Sequence, residues 1–140
     1  MDIDVARRAY LQAKKLEASN KVMLALFEAG LVESNFENLS YGDRDSVGFL
    51  QQRPSAGWGT VAQCMNAEYA TTSFVTRAKQ IEDRYSTAGR LAQGVQVSAF
   101  PDRYDQREND ALALIASVAD LVDINWSDIH WPFMALAEAS

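Results

Sequence analysis

The chain has 140 residues and a mass of 15.5 kDa, the length of one ordinary domain with side chains enough for its own core. Apolar residues at 48% and charged residues at 23% exclude a disordered polymer, and a net charge of -6 argues against non-specific nucleic-acid binding, which needs a basic face. The single cysteine, Cys64, excludes an intrachain disulfide, and the apolar runs fall far short of a membrane span.

Residues 3 to 17 place Ile3, Ala6, Tyr10, Ala13 and Leu16 at three- and four-residue steps among Arg7, Arg8, Lys14 and Lys15, which predicts an amphipathic surface helix. Ser19 or Asn20 can cap a second helix through Met23, Leu24, Leu26, Phe27 and Leu31. That helix is apolar on most faces, so it is expected in the centre of the core, with Glu28 and Glu33 as its only acids. From Asn35 to Gly59 the periodicity lapses and Gly, Asp, Asn and Pro accumulate. Within this stretch 47 to 51 is the one segment able to pair as a short strand or hairpin. A loop this long inside a compact domain, anchored by Phe36, Leu39, Phe49 and Leu50, points to function.

Thr60 and Gln63 have the spacing of a capping box for a short helix, and Asn66 can cap a longer one carrying Ala70, Phe74, Ala78, Ile81 and Tyr85. Ser86 or Thr87 caps the next, with Leu91, Val95 and Ser98, and Pro101 is expected to end it. Residues 105 to 122 predict a last helix with Ala111, Leu114, Ile115, Val118 and Leu121 as its stripe. Trp126, Ile129, Trp131, Phe133 and Met134 then read as an apolar tail folding back on the core. The expectation is a mainly α chain, 1 to 140 as a single domain, with one long working loop or short β-hairpin around residues 40 to 53.

Glu33 is the candidate for chemistry. A carboxyl at the C-terminal end of an apolar helix sits where the helix dipole disfavours negative charge, which raises its pKa and suits it to donate a proton. Glu28 is its rival on the same helix. Asp43 and Asp45 are candidates for a second carboxylate that positions water, or they are turn formers with a local ion pair. Tyr41 and Trp58 could stack on sugar rings, and Trp58 could equally plug the loop against the body of the domain. Gln52 and Arg53 could reach N-acetyl or peptide carboxylate groups, or could cap backbone. One His and one Cys cannot assemble a His/Cys zinc site or a Cys-His pair within reach of this loop, so no metal and no cofactor is expected.

Glu33-Ser34, followed by Ser46, Gly48 and Gln51 across a polar loop, resembles the goose-type lysozyme and lytic transglycosylase superfamily. Asn66-x-x-Tyr69 and the segment Gln96 to Tyr104 resemble that superfamily's later elements, although no Tyr-Asn-Ala-Gly run is present. The string from Asn38 to Pro54, with Gly57-Trp58-Gly59, resembles more narrowly the lysozyme-like domains in tape-measure proteins and lysins of phages infecting actinobacteria. The resemblance implies a lysozyme-like helical fold and cleavage of the β-1,4 bond between N-acetylmuramic acid and N-acetylglucosamine, with Glu33 as general acid. It implies peptidoglycan glycan strands as the partner, met through Ser34, Tyr41, Ser46, Gln51, Gln52, Trp58 and Tyr104, with Ser46 and Gln51 placing the N-acetyl group or Glu33 itself. Hydrolysis is favoured over transglycosylation because Asp45 adjoins Ser46. The alternative is a non-catalytic structural segment of a tail tape-measure protein. With no signal peptide visible, the expectation is a monomeric domain made in the host cytoplasm that reaches the wall in a virion tail or as a released lysin.

Overall fold

The structure, a computed structural model, describes residues 1 to 125. It is mainly helical. Among the described residues there are six α-helices: α1 (Ile3–Lys15), α2 (Asn20–Ser34), α3 (Val61–Cys64), α4 (Ala67–Ile81), α5 (Ala88–Gln96) and α6 (Glu108–Asn125). The apolar tail expected after α6 lies outside the described residues. No described helix is long and apolar enough to cross a membrane.

Local capping sets most helix starts. Ser19 accepts from the Val22 N–H, Asn66 from the Tyr69 N–H and Thr87 from the Arg90 N–H, each filling one of the orphan donors of a first turn. Thr60 and Gln63 close a reciprocal capping box on α3.

Helix α2 runs through the middle of the molecule, with nine consecutive-face positions from Val22 to Leu31 buried, Glu28 among them. It packs against α5 and α6 as well as α4. Helix α1 lies on α4 through Val5, Ala6, Ala9 and Ala13, small residues that let the two backbones approach. Ile3, expected on that stripe, is exposed, and Val5 takes the inner position.

The start of the long loop is fixed by the end of α2. Asn35 and Phe36 both adopt left-handed φ, 54° and 59°, and the Phe36 N–H donates back to the Gly30 carbonyl at 3.0 Å. This reversal folds the Phe36 ring onto Gly30, where a Cβ would stand 2.5 Å from the ring. Phe36 then stacks on Phe49 at 5.3 Å and tilts against Phe27 at 5.0 Å. Burying such rings contributes about 1.5–3 kcal/mol each and offsets the cost of the left-handed backbone.

The expected strand or hairpin does not form. The loop carries one isolated bridge, Val47 to Gln52, and no strand among the described residues. Gly48 at φ 82° and Gln51 at φ 51° curl the four-residue tip too tightly for a ladder. At Gly48 any side chain would meet the Cys64 carbonyl, 2.1 Å from an ideal Cβ. Helix α5 ends at Gln96, well before Pro101, because Val97 turns left-handed at φ 51°. Helix α6 starts at Glu108, after a 3-10 turn over Asp105–Arg107, with Ala111, Leu114 and Val118 buried and Leu121 exposed.

Candidate functional site

The loop tip is tied to two helix ends, and Glu33 lies where they meet. The Ser34 hydroxyl donates to the Phe49 carbonyl at 2.6 Å, fastening the C-terminus of α2 to the tip. The Gln96 side-chain amide, at the last residue of α5, donates to the Leu50 carbonyl at 2.8 Å and to Glu33 Oε2 at 2.8 Å. Tyr104, wholly buried, donates its hydroxyl to the same Oε2 at 2.9 Å. Glu33 Oε1 accepts no bond among the described residues, and the residue as a whole is half-buried.

Burial pushes the Glu33 carboxyl above the ordinary carboxylate value. The bonds from Gln96 and Tyr104 and the charge of Arg103 draw it partly back. Burial, together with the charge and the bond of Glu33, drives the Tyr104 phenol upward, so it stays a neutral donor. The result is a carboxyl held by one oxygen in two directional bonds, with the other oxygen unpartnered among the described residues and so able to present or receive a proton. Geometry of this kind precedes pKa as the test of a general acid.

Glu28 passes the pKa test and fails the geometric one. Burial pushes it up to about 8, with the nearby charges of Asp105 and Glu108 adding to the shift. Yet it is 0% exposed, and neither oxygen has a partner among the described residues. A proton that no substrate can reach does no catalysis.

The other candidate residues take mainly architectural places. Gln51 was expected to face substrate, but its amide donates to the Tyr41 carbonyl at 3.2 Å and the Gly48 carbonyl at 3.0 Å, which holds the loop's two arms together. Gln52 is buried and donates to the Ala70 carbonyl at 3.1 Å, tying the loop to α4. Ser46 is buried, with its N–H on the Asp43 carbonyl. Thus Ser34, Ser46, Gln51 and Gln52 shape the loop, and the groups that hold Glu33 are Gln96 and Tyr104. Tyr104 was expected to contact substrate and instead contacts the acid.

Asp45 accepts from Arg53 Nε at 2.7 Å and from the Ser55 N–H at 2.8 Å, and these bonds hold it well below the usual carboxylate range. Both its oxygens are occupied, and a carboxylate so stabilised is a poor base. Its geometry is that of a turn former in a local ion pair, with Arg53 and not the adjacent Arg44 as the partner. Asp43 stands exposed at the turn and Tyr41 is 69% exposed, open to a ligand. Trp58 packs against the core and carries the Arg77 guanidinium 3.5 Å from its ring centroid, so it plugs the loop and does not offer that face to a sugar.

Gln96 is the residue that the sequence reading left without a role. An amide at a helix end, 63 positions from Glu33, has no local signal. The one hint is Val97, a β-branched residue forced to φ 51°, a conformation that costs on the order of 1–3 kcal/mol and clusters at functional sites. No family model matches the chain, and no curated protein matches its sequence.

Proposed function

We propose that the protein cleaves the glycan strands of peptidoglycan at the β-1,4 bond between N-acetylmuramic acid and N-acetylglucosamine, with Glu33 as the general acid. The observation that carries the reading is the Glu33 carboxyl itself: raised by burial, gripped at Oε2 by Gln96 and Tyr104, and with no partner at Oε1 among the described residues. The resemblance of Glu33-Ser34, Ser46, Gly48 and Gln51 to goose-type lysozymes and lytic transglycosylases supplies the substrate class.

In this reading Glu33 gives its proton to the glycosidic oxygen as the bond from the muramic acid C1 breaks, and N-acetylglucosamine leaves as the free alcohol. The muramic acid's own 6-hydroxyl then closes onto C1, and its proton passes to the Glu33 carboxylate, restoring the acid with no water consumed. Transglycosylation is preferred to hydrolysis because the carboxylate nearest the loop serine, Asp45, is committed to Arg53 and the Ser55 backbone, and Asp43 stands exposed at the turn with no bond among the described residues to orient it. An inverting hydrolase needs a free second carboxylate to activate water. Arg103, whose charge acts on Glu33, would favour the ionised form after the first proton transfer.

Mass analysis of the muropeptides released from purified peptidoglycan tests the reading. It predicts 1,6-anhydro-muramic acid ends, one water lighter than reducing ends. Reducing ends alone would make the enzyme a hydrolase, and intact strands after prolonged incubation would leave the structural tail-segment alternative.

A further inference from the structure

A hollow of about 360 Å³ opens beside the last turn of the loop, between Gly57–Gly59 and the outer face of α4. Trp58, Tyr69, Thr72, Ser73, Thr76 and Arg77 line it. These α4 positions recur at three- and four-residue steps, so they form one helix face, opposite the buried Ala70, Phe74 and Ala78. Tyr69 is 41% exposed on this face.

Arg77 is the distinctive member. Its guanidinium lies on the Trp58 ring, 3.5 Å from the centroid. Stacking on an aromatic face orients the planar group while leaving its N–H donors free at the edge. The chain carries 19 acidic against 13 basic residues, and Arg7, Arg8, Arg53 and Arg107 each pair with a carboxylate. Among the described residues Arg77 pairs with none, as is also true of Arg44, Arg84, Arg90 and Arg103; what sets Arg77 apart is its place on the Trp58 ring inside the hollow. A cation held in position and left unpaired in an acidic protein, with hydroxyls beside it, matches an external carboxylate.

We infer that this hollow is a carboxylate subsite that takes the acidic peptide stem carried by the glycan strand. Arg77 receives the carboxylate along its free N–H edge, Ser73 and Thr76 add hydroxyl contacts, and Tyr69 covers the apolar part of the stem. The inference rests on the proposed glycan substrate for the identity of the ligand, and its test does not depend on cleavage.

The isotope-labelled protein is titrated with an N-acetylmuramoyl-peptide bearing free carboxylates, and in parallel with the same compound fully amidated. The expected result is saturable movement of the Trp58 indole N–H and Arg77 Nε–H signals, with binding about tenfold weaker for the amide. Arg77→Leu should lose this binding, and Arg77→Lys, which keeps the charge but not the fork, should retain part of it; both sit on an exposed helix face and should keep the wild-type amide spectrum elsewhere. Equal binding of acid and amide, wild-type affinity in Arg77→Leu, or no movement of these signals at millimolar ligand would overturn the subsite. Peptidoglycan digestion measured alongside separates the two readings: selective binding without digestion keeps the subsite and removes the glycosidase, and digestion without binding does the reverse.

Discussion

The Gln96 side chain joins Glu33 Oε2 to the Leu50 carbonyl, 2.8 Å to each, so one amide group sets both the acid and the tip of the loop that faces it. Tyr104 donates to the same Glu33 oxygen from 71 residues further along the chain. The acid is therefore oriented by residues from two elements that only the fold brings together. Its burial and its alignment are separable properties.

Removing either donor should change the pH profile as well as the rate. Bonds from Gln96 and Tyr104 stabilise the charged carboxylate and lower its pKa, so their loss raises it. A general acid works while protonated, and activity falls as pH rises through its pKa. Gln96→Leu and Tyr104→Phe should each move the alkaline limb of kcat/KM to higher pH, while kcat falls about tenfold from lost alignment. An alkaline limb that stays in place, or moves down, would show that these bonds do not act on the catalytic group.

Glu28 should weaken the fold as pH rises. Its carboxyl titrates near 4.5 when the chain is unfolded and at about 8 in the folded protein. Below 4.5 both states keep the proton and the group contributes no pH dependence. Between the two values the unfolded state releases a proton that the folded state retains, so stability declines across that window, by about 3 kcal/mol up to pH 7. Glu28→Met should therefore be more stable than wild type at pH 8, with a smaller advantage at pH 5, and should keep its activity. Denaturant melts of both proteins at the two pH values check this. A stability difference that does not change with pH would mean that Glu28 is partnered and ionised.

Asp45 should prove structural. Its folded pKa is depressed, so its contribution is present above the unfolded value near 3.9 and is lost as pH falls below it. Asp45→Asn should melt earlier than wild type at pH 7, and the two should converge in acid. Turnover by the folded mutant should stay within a few-fold of wild type. A loss of several orders of magnitude with the fold intact would restore Asp45 as the group that activates water.

What the sequence disclosed follows the range of the interactions. Caps at Ser19, Thr60, Asn66 and Thr87 are visible because each side chain serves a backbone N–H within three residues. The centrality of α2 is visible because a helix apolar on most faces has nowhere else to go. Glu33 could be singled out by its place at the end of that helix. The roles of Gln51 and Gln52 could not be, since whether an amide faces substrate or the Gly48 and Ala70 carbonyls depends on how the loop closes. Gln96 and Tyr104 act across more than sixty residues, and nothing in local patterning couples them to Glu33. The end of α5 was misplaced for a different reason: a valine at φ 51° is a conformation that local preference disfavours and tertiary packing imposes.

The most direct measurement is the release of muropeptides from purified peptidoglycan by wild type and by Glu33→Gln, read by mass. The substitution keeps the shape of the side chain and removes its proton. Wild type should release anhydro-ended fragments, and Glu33→Gln should do so at a rate lower by roughly 10²–10⁴-fold or more, with helix content and Tm nearly unchanged. Fragments released by the mutant at the wild-type rate would contradict Glu33 as the general acid.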